Sequence, residues 1–332
     1  MRTAYAIAAS AYERPKERVC KSDRRYSRYA EPLLHFFSRH RTALAGHVHR
    51  QFPHLFGTER GVRQHLQTLV EVGHLDVAEY QSPFRPNVYW ITDLGFERCK
   101  EHVRNVPVSL PQRRRDSNGN HALHELLITE TAVSVQESIR RCPDLEFLWE
   151  ERFGFHRVPS FDELRPDYMF LFRCPQGLMM CPVEVFSGED STTRIREKMQ
   201  KYAIWAETAA AENFLLTVYR HFGSPKPRPE FRLLCITQNR NLTRSDATRE
   251  RQVLGATFCV PQLMQQRVWT TTNAALLTAS IDGPIWHRAK DLVNVRAQWH
   301  DLPGRQQSRF LLTQLCDLQR YSLFPTRAPQ KV

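Results

Sequence analysis

The chain has 332 residues, 41% of them apolar, and a formal net charge of +12. That is enough apolar material for two modest cores, yet no run is long and apolar enough to cross a bilayer, which excludes a membrane-spanning helix and points to the cytoplasm. Eight cysteines without a single CxxC pair exclude a disulfide framework and a structural zinc site.

Residues 1–30 read as a basic flexible arm, with Arg24, Arg25 and Arg28 close together. Residues 1–116 hold 20 Lys+Arg against 12 Asp+Glu, and the remainder 27 against 23, so most of the basic surplus lies in the first third. Such a surplus suits a polyanionic partner. Apolar spacing predicts helices over 31–39, 42–52 and 58–72, the second capped by Thr42 and the third by Thr58, with Gly73 as a stop. Strands are expected over 75–80 and 88–92, separated by a turn through Pro83 and Pro86 that exposes Arg85. Helix, helix, helix, strand, wing, strand is the order of a winged helix over 31–105. Its close, Tyr89-Trp90-Ile91-Thr92-Asp93-Leu94-Gly95, resembles the Y-x-L-T-x-x-G ending of bacterial winged-helix regulators. On the third helix Arg60, Arg63, Gln64 and Gln67 lie opposite the apolar stripe and face outward. Arginine pairs bidentately with guanine and glutamine with adenine, so these four are the candidate base readers. Arg85 would meet phosphate or the minor groove.

Residues 106–119, with Pro107, Pro111 and the run Arg113-Arg114-Arg115, form the expected linker, and the three arginines are candidate phosphate contacts. A second domain is predicted over 120–300. Its elements are a helix from 121 to 140, strands over 145–153, 164–172 and 179–186, a helix over 192–211, a strand over 231–237, a helix over 245–254 and a strand over 256–260. This is an α/β (α+β) class with mixed strand pairing. Residues 301–332 form a tail with an amphipathic helix over 310–318.

Within that domain Arg165-Pro166-Asp167 and Val183-Glu184-Val185 put one carboxylate on each of two adjacent strands. Arg194, Lys198 and Lys201 then share one face of the next helix. Two converging carboxylates repel unless a cation lies between them, and oxygen ligands of this kind suit Mg²⁺. The element order and the Pro-Asp…Glu pair resemble the restriction-endonuclease-like PD-(D/E)xK superfamily. The resemblance implies Asp167 and Glu184 as metal ligands, Glu125 as the helix acid, and Lys198, or else Lys201, as the lysine moved onto the helix, because Phe186 stands two residues after Glu184. Arg194 and Lys201 are then expected to touch the DNA backbone.

The wider pattern is similar to the replication-relaxation family of plasmid and mobile-element proteins. The similarity rests on a helix starting at His121, the R-P-D and V-E-V strands, a K-x-x-x-Y helix end (Lys198, Tyr202), and G-P-I-W at 283–286. It implies a DNA-binding protein acting in replication, relaxation or mobilisation of mobile DNA, its nuclease-like domain weakly active or inactive. One alternative is an active Mg²⁺-dependent endonuclease. Another is a winged-helix transcriptional regulator whose second domain dimerises or binds a partner. Double-stranded DNA is the expected partner, with a second copy or other mobile-element proteins as further candidates, and Mg²⁺ the cofactor if the site is catalytic. Fourteen histidines lack metal-ligand spacing, and no G-x-x-x-x-G-K-[ST] or G-x-S-x-G motif occurs.

Overall fold

Leu33, Leu34, Phe36 and Phe37 recur at helical spacing, and in the computed structural model they bury one face of helix α1, Ala30–His40. The structure describes residues 29–78, 87–102, 120–152, 164–187, 190–223, 230–238, 246–279, 281–304, 306–307, 309–310 and 318–323. The chain divides into two units, residues 1–137 and 138–332, and the division falls in the last turn of helix α5, Asn120–Arg141.

Helix α1 ends where Arg41 takes a φ of 58°, a region costly for a residue with a Cβ. The helix predicted over 42–52 therefore does not begin at Thr42. Thr42–Leu44 is instead a short strand, β1, and helix α2 runs over Ala45–Gln51. The tertiary reason is pairing: β1 lies antiparallel to β3, Val88–Ile91, with Thr42 opposite Trp90 and Leu44 opposite Val88. Helix α3, Glu59–Glu71, starts as expected, the Gly61 N–H donating to the Thr58 hydroxyl at 3.1 Å. It stops at Gly73, at φ 79°, with the His74 N–H returning to the Leu69 carbonyl. Strand β2, Leu75–Ala78, completes a three-stranded antiparallel sheet of order β1-β3-β2. The expected wing with Arg85, the linker with Arg113, Arg114 and Arg115, and the basic arm lie outside the described residues.

The Thr92…Gly95 pair has a local explanation. Thr92 caps a helix that the sequence reading omits, α4, Asp93–His102, by accepting the Gly95 N–H at 3.0 Å, while its own hydroxyl donates to the Gly73 carbonyl at 2.7 Å. Gly95 lies against the chain at His74: a Cβ there would stand 2.0 Å from the His74 carbonyl oxygen. Gly95→Ala is therefore expected to cost at least about 2 kcal/mol, read as an earlier midpoint in denaturant unfolding. An unchanged midpoint would rule this packing out.

Helix α5 joins this unit through Val133, which enters its core, and through the Thr129 hydroxyl, which donates to the Thr42 carbonyl at 2.8 Å. A buried polar network accompanies it. Arg50 donates to Glu130 at 2.6 Å, to Glu137 at 2.8 Å and to the Ser134 hydroxyl at 2.8 Å. His47 Nδ1 accepts the Leu44 N–H, so Nε2 carries the proton and donates to Glu130 at 3.1 Å. Burial pushes Glu130 up, but His47 and Arg50 outweigh it and hold the carboxyl far below the usual range.

The second unit is a six-stranded mixed sheet of order β4-β5-β6-β7-β8-β9. Strands β4 (Glu146–Glu151), β5 (Tyr168–Cys174) and β6 (Gly177–Phe186) are antiparallel neighbours. Gly177 closes the tight β5–β6 turn at φ 119°. From β6 the chain crosses through helices α6 (Thr192–Ala206) and α7 (Ala209–His221) to β7 (Leu233–Thr237), which pairs parallel to β6. The single helix expected over 192–211 breaks because Thr208 caps a new one, accepting the Ala211 N–H at 3.1 Å.

Helix α8, Asp246–Thr257, and short α9, Gln262–Gln265, lead to β8, Val268–Thr272, again parallel. The strand expected over 256–260 is thus the end of α8 and a turn. Ala256, Phe258 and Val260 are all buried, and a short apolar run does not separate strand from buried helix. After α10, Asn273–Ala279, strand β9, His287–Arg288, closes the sheet antiparallel to β8. The core lies between one sheet face and α6, α7 and α8, with Met169, Met180, Phe186, Ile195, Met199, Tyr219 and Val253 at its centre. The predicted 310–318 helix falls largely outside the described residues.

Candidate active site: an acid–lysine centre on the sheet

Asp167 stands just before β5 and is fixed to β6 at two points. Its N–H donates to the Val183 carbonyl at 3.1 Å, and its Oδ2 accepts the Val185 N–H at 2.8 Å. Between those two contacts lies Glu184, which has no exposed surface. Helix α6 supplies the groups that meet it. Lys198 and Tyr202 are four residues apart, so both project from one helix face. The Tyr202 hydroxyl donates to Glu184 Oε1 at 2.6 Å, and the Lys198 ammonium is ion-paired with Oε2.

The electrostatics follow from burial. Desolvation pushes the Glu184 carboxyl up to about 8; the Asp167 charge adds to the rise, and Lys198 and Tyr202 pull against it. Burial alone would lower the Lys198 ammonium, but Asp167 and Glu184 more than offset that and hold it above its ordinary value. Burial and the Glu184 charge likewise keep Tyr202 protonated. Phe186, next on the same strand face, is buried in the core, and Lys198 Nζ lies 5.9 Å from its ring centroid. The lysine therefore reaches the carboxylate from α6, over the aromatic side chain that occupies the strand position.

Glu184 opens a polar row. Its register partner is Cys235 on β7, whose partner is Thr270 on β8, whose partner is His287 on β9. Directly paired residues share a sheet face. Over the far end of this row Glu250 of α8 accepts from the Thr270 hydroxyl at 2.8 Å and meets His287 Nδ1 at 2.9 Å.

The other expected site residues are distributed as follows. Glu125 is buried in the first unit, 4.0 Å from Arg41. Arg60, Arg63 and Gln64 are exposed on α3, Gln67 is half-buried, and Arg63 is ion-paired with Glu59 at 2.5 Å. Arg194 and Lys201 are exposed on α6. Sequence reasoning missed Tyr202 and Cys235 as neighbours of Glu184. The four-residue step from Lys198 to Tyr202 carried the signal for the first, and only strand register could reveal the second. The Gly283–Trp286 motif is structural. A Cβ on Gly283 would stand 2.7 Å from the Ala279 carbonyl oxygen, and the buried Trp286 indole donates to the Ile281 carbonyl at 3.0 Å.

Fold and site together define a mixed α/β protein in two units, with a buried acid–lysine centre on the larger sheet. The chain belongs to the replication-relaxation family, whose model matches residues 34–215, more than half of its length. That membership supports a role in replication or relaxation of plasmid or mobile-element DNA. The matched stretch includes α3, Asp167, Glu184, Lys198 and Tyr202, and ends before the Gly283–Trp286 motif. No curated protein and no solved structure matches the chain. Among the described residues no helix is long and apolar enough to cross a membrane.

Proposed function

We propose that the chain is a DNA-handling protein of a plasmid or mobile element, with a winged helix in its first unit and a Mg²⁺-dependent strand-cutting centre in its second. One observation carries the second half of this reading: Lys198 is ion-paired with Glu184, beside Asp167, so the lysine missing from position 186 is supplied by α6. The first half is supported by three helices packed with a three-stranded antiparallel sheet, and by an exposed Arg60, Arg63 and Gln64 face on α3.

The donor set fits Mg²⁺, which ordinarily takes one or two carboxylates and completes its shell with water and phosphate oxygens. Asp167 and Glu184 would hold it. When bound, it would supply an activated water and offset charge on the phosphate being cut. The protein's own residues do the rest. The Val185 N–H fixes the Asp167 carboxylate, the Tyr202 hydroxyl orients Glu184, and Lys198 keeps a positive charge beside the reacting phosphate. Exposed Arg194 and Lys201 lie where a DNA backbone would follow α6.

Incubation of supercoiled, linear and branched DNA with Mg²⁺ or Mn²⁺ tests this. Metal-dependent nicking that disappears in Asp167→Ala is expected. DNA binding without nicking in the wild type would leave a protein that holds DNA and does not cut it. Absence of both would favour a second unit that serves only assembly.

A further inference from the structure

Arg249 of α8 is nine-tenths buried, yet no carboxylate is ion-paired with it among the described residues. Its Nη1 donates to the Asp190 main-chain carbonyl at 2.5 Å, and this is its single hydrogen bond there. A guanidinium has five N–H donors, so most of Arg249's stay open to a further acceptor, and none of its nitrogens is a fully buried orphan. The Asp190 carboxylate acts on it only at longer range.

Asp190 is itself crowded by cations. Arg194 Nε stands 3.3 Å from Asp190 Oδ1, and Lys198 feels the same carboxylate. The start of α6 adds the N-terminal end of a fifteen-residue helix, where Ser191 caps by accepting the Arg194 N–H at 3.1 Å. Lys198 is already paired with Glu184, so Arg194 and Arg249, from two helices, are the cations that gather round Asp190, next to the Asp167–Glu184 centre. Two guanidiniums with more donors than one acid and its carbonyl take up suit an anion that arrives from outside.

We propose that Arg249 and Arg194, at the start of α6, form a phosphate subsite that positions the DNA strand beside Lys198, with Asp190 as its resident counter-anion. The subsite rests on the DNA-handling reading above, and it adds two residues, Arg249 and Asp190, that the sequence reading leaves out. An incoming backbone phosphate takes over the guanidinium donors of Arg249 and Arg194, and Asp190 turns to solvent. Asp190 weakens binding to every phosphate equally, so it limits retention on DNA that is not otherwise engaged.

The experiment measures binding of the full chain to a short labelled duplex in EDTA, where no cutting occurs, at salt concentrations from 50 to 200 mM. Each phosphate contact contributes about 0.9 to the slope of log affinity against log salt. Arg249→Ala is expected to lower the slope by about 0.9, so its affinity loss over that range is about 3.5-fold smaller than in the wild type. Arg249→Lys should keep most of the slope. Asp190→Asn should bind the duplex about two- to fivefold tighter, a direction that a misfolded variant does not produce. An unchanged slope in Arg249→Ala, or Asp190→Asn binding no tighter than the wild type, overturns the subsite while the DNA-handling reading stands. No duplex binding by the wild type overturns both.

Discussion

Lys198→Met is expected to reduce metal-dependent nicking by about 100-fold or more while leaving duplex affinity in EDTA within about threefold. Methionine keeps most of the aliphatic stem but removes the ammonium that lies by the Phe186 ring and is, among the described residues, the cation paired with Glu184. Because burial already holds Glu184 up at about 8, the variant's carboxyl can stay protonated at neutral pH, and the fold survives the loss of its partner. The same shift sets the pH dependence. Glu184 titrates near 4.5 when unfolded and at about 8 when folded. Its contribution to stability is therefore full below pH 4.5 and declines as pH rises towards 8. Lys198 is raised above its ordinary value and stays charged throughout that window. Glu184→Gln lacks this decline, so its melting temperature should gain on the wild type as pH climbs from 5 to 8. Parallel melting curves for the two proteins across that range would show that Glu184 is already ionised at pH 5.

Glu130→Ala carries the largest expected cost in stability, about 3–5 kcal/mol, because it strands partners that the first unit holds in a buried network. His47 loses the acceptor of its Nε2 proton, and the Ser134 hydroxyl and Arg50 lose a shared carboxylate oxygen. For a unit of this size the melting temperature should fall by about 10 °C or more. Glu130→Gln keeps the shape and should recover part of the loss. Since Glu130 is held below its ordinary value in the fold, its contribution is present above about pH 4.5 and is lost as pH falls into the acid range. Acid titration of the wild type should accordingly melt the first unit at a pH where Glu130→Gln shows little further change. A destabilisation of the alanine variant below about 1 kcal/mol would mean that the network carries little of the packing between α2 and α5.

Much of this was legible in the sequence because the decisive signals are local. Thr58 and Gly73 delimit α3 through a side-chain cap and a left-handed turn, both of which depend on residues within one helical turn. Asp167 and Glu184 come together because a two-residue turn joins their strands, and Lys198 follows on the next element. What was not legible depends on distant chain. Thr42 has the chemistry of a cap, but pairing with Trp90, forty-eight residues later, turns it into a strand. The run over 256–260 is apolar enough for a strand, and the core claims it as the end of α8. Cys235, Thr270 and His287 carry no common motif; only the order and register of β6, β7, β8 and β9 align them with Glu184. Asp190 and Arg249 meet because α6 and α8 pack side by side, fifty-nine residues apart in sequence.

The polar row also bears on when the centre can exist. Side chains alternate between sheet faces, so a slip of one residue between β6 and β7 would turn Glu184 away from Cys235 and from α6 altogether. Parallel strands joined by helical crossovers pair late, since each closure must wait for a long intervening segment. The acid, its lysine and its tyrosine therefore meet only once the strands are in register and α6 has docked. A chain still folding carries the residues of the centre but not the centre.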